Sequence, residues 1–136
     1  MTSGDNARIL VVEDEALIAM DLQALLEDAG YRVLGPANSS AAAMALIEAD
    51  QPDVALLDVN LGRSDAFGVA NVLSERKTQI IFLTGHTAHK LPQQHRHLPL
   101  VSKPYLPQVL LQAVERAVEQ RATSQDLRRD ALKPSA

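Results

Sequence analysis

The chain of 136 residues contains no cysteine, so no disulfide framework, thiolate metal site or cysteine nucleophile is available to it. This agrees with a reducing compartment. Aromatic residues make up 3% of the chain, namely Tyr31, Phe67, Phe82 and Tyr105, and the core is therefore expected to be aliphatic. No apolar run reaches the roughly 18 residues needed to span a bilayer, and the opening Met1 to Asn6 is short and polar, unlike a signal peptide. The expectation is a cytoplasmic protein that contacts no membrane. Glycine-rich phosphate loops of the GxGxxG or Walker type are also missing, which argues against a nucleotide cofactor.

Present instead is the balance of a globular domain, 46% hydrophobic and 22% charged, at a length that suits one domain and leaves no room for a second. The net charge of −4 is unevenly placed. Residues 1–60 carry 11 acids against Arg8 and Arg32, and residues 61–136 carry 6 acids against 11 bases. An acidic front half suits a cation site built from the first strands and speaks against a broad nucleic-acid-binding face. The bases near the end, Arg128, Arg129 and Lys133, read as a solvated helix end or a disordered tail.

Short continuous apolar runs alternate with helical periodicity. Arg8 to Val12, Tyr31 to Leu34, Asp53 to Asp58, Gln79 to Thr84 and Leu100 to Ser102 are predicted strands, the second closed by Gly35 and Pro36. Between them, a helix from Asp14 turns Ile18, Leu22, Leu25, Leu26 and Ala29 to one side and stops at Gly30. A second is capped by Asn38 or Ser39 and runs to Ala49, and a third runs from about Ala66 to Ser74 with Val69, Val72 and Leu73 inward. The last is opened by Pro107, with Leu110, Val114 and Ala117 on one stripe. Residues 86–99 are polar and broken by Pro92 and Pro99, so a helix there is expected to be short, frayed or absent. The order implies an α/β fold, a doubly wound parallel sheet with helices on both faces.

In such sheets ligands bind beyond the carboxyl ends of the strands. Those ends carry Glu13 and Asp14, Asp58, Thr84 and Lys103. Three neighbouring carboxylates repel one another unless a hard cation sits among them, for which Mg²⁺ is the natural candidate. An ammonium and a hydroxyl facing them suit the oxygens of a phosphoryl group, with Asp58 as the nucleophile that forms an acyl phosphate. Taken singly, Asp14 reads equally well as a helix cap, Lys103 as a loop lysine and Thr84 as a plain strand residue. Their arrival together at four strand ends is what carries the functional reading.

At these residues the chain resembles the response-regulator receiver family of two-component systems, over residues 8 to about 121. The matching runs are I-L-V-V-E-D-E around Glu13 and Asp14, L-L-D-V-N-L around Asp58, F-L-T-G around Thr84 and V-S-K-P-Y around Lys103. The resemblance implies a five-stranded flavodoxin-like sheet of order 2-1-3-4-5, an N-terminal tail over 1–7 and a C-terminal tail over 122–136. It also implies Mg²⁺ held directly by Asp14, Asp58 and the backbone carbonyl of Asn60, with Glu13 acting through water, and a cis peptide bond at Lys103-Pro104. By the same likeness the phosphoryl donor is a sensor histidine kinase. The F-L-T-G run is similar to the Phe-x-Thr-Gly signature of an alphaproteobacterial single-domain subgroup, which suggests a kinase of the HWE type. The implied function is that of a phosphorylated switch or phosphate sink acting through protein contacts, and not an enzyme. A phosphohydrolase attacking through aspartate would carry a second acid where Asn60 stands. Leu100 occupies the position of the family's aromatic switch, which leaves the output route open. His86, His89, His95 and His97 lie close enough in sequence to raise a zinc site, although a solvated, mobile segment is the default reading.

Overall fold

The computed structural model describes residues 7–59, 66–85 and 92–132, the segment 122–132 by its backbone alone. The strands are β1 (Arg8–Val12), β2 (Arg32–Ala37), β3 (Val54–Asp58), β4 (Gln79–Thr84) and β5 (Leu100–Ser102). The helices among the described residues are α1 (Ala16–Asp28), α2 (Ser40–Ala49), α3 (Ala66–Glu75) and α4 (Pro107–Leu132). All strand pairs are parallel, as the alternating pattern implies, in the order β2-β1-β3-β4-β5 that the family resemblance implies.

The sheet is buried on both faces, which is why its strands read as continuous apolar runs rather than alternating ones. One face sets Leu10, Val12, Leu57 and Phe82 against Ile47 of α2 and Val69 and Leu73 of α3. The other sets Ile9, Val11, Leu56, Ile81 and Leu83 against Leu22 and Leu26 of α1 and Leu110 and Val114 of α4. Ser39 starts α2 by accepting the Ala42 N–H at 3.1 Å, one of the two caps the sequence offered.

One boundary differs from the sequence reading. β2 does not close at Gly35 but runs through Gly35 and Pro36 to Ala37, with an irregular register between Leu10 and Val12 of its neighbour. An edge strand tolerates this proline because no outer neighbour needs its missing N–H. Gly35 sits at a φ of 94°, and a Cβ there would lie 2.7 Å from the Ala37 nitrogen and 3.1 Å from the Val11 carbonyl oxygen, so only glycine fits. At the other end, α4 continues to Leu132, the helix end being one of the two readings of that stretch. In the proline-broken stretch, the described part holds a single 3₁₀ turn at Gln93–His95, in keeping with a short fourth helix. No helix of the described residues is long and apolar enough to cross a membrane.

Candidate functional site

The parallel registers bring the strand ends level. Val12 pairs with Leu57, Asp58 with Leu83, and Thr84 with Ser102, so the residues that end or follow these strands share one rim. Backbone bonds lock the rim in place. Glu13 N–H donates to Ala37 O at 2.9 Å, Val59 N–H to Leu83 O at 2.9 Å, and Lys103 N–H to Thr84 O at 2.7 Å.

On this frame Glu13, Asp58 and Thr84 are buried, at 1%, 3% and 1% exposure, whereas Asp14 is exposed. Lys103 reaches in from the far side, its Nζ donating to Glu13 Oε1 at 2.7 Å and to Asp58 Oδ2 at 3.2 Å. Glu13 Oε2 also accepts the Glu15 N–H at 3.1 Å. Glu15 is the N-cap of α1 and makes no side-chain cap bond, so the exposed Asp14 does not occupy the N-cap position. Glu13, Asp14 and Asp58 each offer a carboxylate oxygen within 4.8 Å of the others, a donor set suited to a hard divalent cation. Asn60 lies outside the described residues, as do His86 and His89.

The electrostatics follow from burial. Desolvation pushes Glu13 up from 4.5 to about 7; the Lys103 hydrogen bond pulls it down, and the neighbouring Asp58 adds to the rise. Burial alone would lower the Lys103 ammonium, but its bond to Glu13 and the charges of Asp58 and Glu13 outweigh this and hold it above its ordinary value. Two buried carboxylates thus share Lys103. A further polar group on the same rim, Thr84 Oγ1, is buried without a hydrogen-bond partner among the described residues. Buried hydroxyls are rarely left so, and each such case calls for an explanation.

The family model for the response regulator receiver domain matches residues 9–115. The chain belongs to the response regulator receiver family. This receiver is 35% identical over 115 residues to the transcriptional regulatory protein PdtaR of Mycobacterium tuberculosis, covering 82% of this chain and 56% of that one. To the phyllosphere-induced regulator PhyR of Methylorubrum extorquens it is 35% identical over 103 residues, covering 73% and 39%. The receiver therefore spans about half, or less, of the length of these curated relatives. Among solved structures, it is similar to the solution structure of SdrG from Sphingomonas melonis Fr1 with a TM-score of 0.73 and 34% identity, covering 87% of this chain and 98% of that one. The crystal structure of the response regulator PhyR from Brucella abortus gives 0.77 and 31%, covering 90% and 52%.

Two features of the receiver were not read from its sequence. Tyr105 stands half-buried beside Lys103, where desolvation and then the charges of Asp21 and Glu13 raise its phenol, against the opposing pull of Lys103. The K-P-Y run placed it next to the lysine, but nothing local showed that Ile18, Asp21 and Leu25 of α1 would line a pocket of about 470 Å³ with it. The second is His95, grouped in the sequence with a solvated cluster, yet buried at 3% exposure. The Lys103-Pro104 peptide bond is cis, as the resemblance implied.

Proposed function

We propose that this receiver takes up a phosphoryl group on Asp58 in a Mg²⁺-dependent reaction, with a sensor histidine kinase as donor, and acts as a switch through protein contacts or as a phosphate sink. The carrying observation is the pairing of a buried carboxylate with a cation and a partnerless hydroxyl, Asp58 with Lys103 and Thr84, on one rim. An Asp58 oxygen attacks phosphorus as the bond from phosphorus to the donor imidazole breaks; the imidazole leaves with the electron pair and takes a proton, and Asp58 becomes an acyl phosphate. Lys103 can shift its donation from Glu13 to a phosphoryl oxygen, offsetting charge as it develops. The Thr84 hydroxyl donates to another phosphoryl oxygen and reports the group to the surface. Asp14 and Asp58, with the Asn60 carbonyl and an outer-sphere Glu13, would hold Mg²⁺, which neutralises charge between nucleophile and phosphoryl group.

A protein donor fits the surroundings. Leu17 and Met20 on α1 and Leu106 after Lys103 are 79%, 63% and 61% exposed, apolar residues close in the chain to the acidic pair and the lysine. The F-L-T-G run supports testing HWE kinases first. Incubation with acetyl phosphate, with and without Mg²⁺, followed by intact mass measurement, tests the chemistry, and phosphotransfer from a panel of histidine kinases tests the donor. A single Mg²⁺-dependent phosphoryl adduct is expected. Its absence with every donor would mean that the pocket is a relic and the receiver a pure interaction module.

A further inference from the structure

From Pro92 to Pro99 one side chain, that of His95, is fully buried. Its imidazole stacks on Phe67 of α3, centroids 5.8 Å apart and planes inclined by 18°, and meets Phe82 of β4 edge to face at 5.7 Å and 67°. The two phenyl rings complete the cluster at 6.1 Å. Around it the backbone is tied by His95 N–H to Pro92 O at 2.9 Å, Leu98 N–H to His95 O at 3.1 Å, and Phe82 N–H to Pro99 O at 3.0 Å. The His95 Nε2 has no hydrogen-bond partner among the described residues. With Nε2 unpaired among the described residues and the ring set between two phenyl groups, burial favours the neutral species over the cation.

We infer that His95 is an acid-sensitive latch: its neutral ring pins the Pro92–Pro99 segment over β4, and protonation expels the ring and frees the segment. Among the described residues nothing anionic faces the ring, and the pull of two phenyl groups on a cation is small against the loss of its water. α3 presents Phe67 to the ring and β4 presents Phe82, both uncharged. Within its own turn the neighbours are His97 and Arg96, and burial first and then His97 lower the imidazole below its ordinary 6.5. The sign follows. The released histidine titrates near about 6.5 and the latched one lower, so acid favours release. The latch is intact above about pH 6.5 and weakens about tenfold per pH unit below it, until the buried ring itself takes the proton. Phe82 lies two residues before Thr84 on β4, so release uncovers a ring close to the site hydroxyl while β4 itself stays paired.

This inference does not rest on phosphorylation of Asp58 and is tested on the unmodified chain. Amide protection factors, corrected for intrinsic exchange, are measured by NMR from pH 8 to 5 at His95, Arg96 and Leu98, with Ile81 in β4 as the reporter of global opening. The imidazole protons of His95 and His97 are titrated in parallel. Protection at the three amides is expected to fall as pH drops below about 6.5, by up to about tenfold per unit until the latched ring itself titrates, while Ile81 holds. His95→Phe, which keeps a ring and cannot be protonated, is expected to abolish that fall. Three results would each overturn the latch: protection independent of pH in the wild type, loss of protection in His95→Phe in step with the wild type, or a His95 ring titrating together with His97. The last needs no variant and decides the matter even if His95→Phe does not fold.

Discussion

The two ends of the sheet use the same residue types to opposite ends. At the amino end, Asp53 accepts the Arg8 backbone N–H at 2.8 Å and pairs with Arg121 of α4 at 3.2 Å. Asp50 pairs with the Arg8 side chain and accepts the Gln51 N–H at 2.9 Å. Thr78 donates its hydroxyl to Pro52 O at 3.1 Å and accepts from Gln51 at 3.2 Å. Apart from the Arg121 Nε, this rim is closed. At the carboxyl end two buried acids share Lys103, and among the described residues the Thr84 hydroxyl has no partner. Buried polar groups that are satisfied serve stability, and those left short of partners mark where a ligand completes the set. One sheet therefore separates folding from chemistry by direction along its strands.

Breaking the open rim is expected to remove function without unfolding the protein. Asp58→Asn, the strongest case, should abolish phosphoryl labelling by acetyl phosphate and by any kinase; an adduct found by mass spectrometry on that variant would move the acceptor elsewhere. Next in size, Lys103→Ala should slow single-turnover phosphotransfer by about 10²- to 10³-fold, as loss of a charge-stabilising donor does. Thr84→Ala should slow it far less, because its hydroxyl mainly reports the group to the surface. Equal rate losses would merge the two roles. Mg²⁺ titration should then separate the acids. Glu13→Ala is expected to weaken binding by about tenfold, the effect of an outer-sphere group, and Asp14→Ala by more; the reverse order would make Glu13 the direct ligand.

The closed rim should behave the other way. Asp53→Ala is expected to cost about 1–3 kcal/mol in urea unfolding, since it strips Arg121 and the Arg8 N–H of their partner, with an unchanged labelling rate. A slowed rate would show that the two rims are coupled. A last effect concerns pH. Glu13 is raised in the folded chain, so folding takes up a proton between about pH 4.5 and 7. In EDTA, the wild type should therefore lose stability relative to Glu13→Gln as pH rises through that window and hold level above it. Parallel pH profiles for the two proteins would count against a buried, charged Glu13.

The sheet and the rim were legible because both depend on periodic or terminal signals. Apolar runs mark strands buried on both faces, and a polar residue ending such a run sits at the rim, so Glu13, Asp14, Asp58, Thr84 and Lys103 could be named from the chain. What escaped depended on partners remote in sequence. His95 belongs to no periodic stripe, and its burial is decided by Phe67 and Phe82, 28 and 13 residues earlier. β2 was cut short because proline argues against a strand unless the strand is known to lie at an edge. The length of α4 was readable in principle: residues 122–132 hold no glycine or proline and are rich in helix formers, and the first breaker is Pro134. Mixed charges there suit a solvated helix end as well as a tail, and charge alone did not choose between the two.

The short bond from Lys103 N–H to Thr84 O, 2.7 Å long, joins the backbones that carry the site's ammonium and its hydroxyl. The two strand ends are thereby the jaws of a caliper. Its gauge is set by a main-chain bond between β4 and the residue after β5, so the freedom needed to set it is lost on folding and not on ligand capture. Any group that the ammonium and the hydroxyl bind together, as the proposed phosphoryl group would be, meets an opening whose backbone is already fixed.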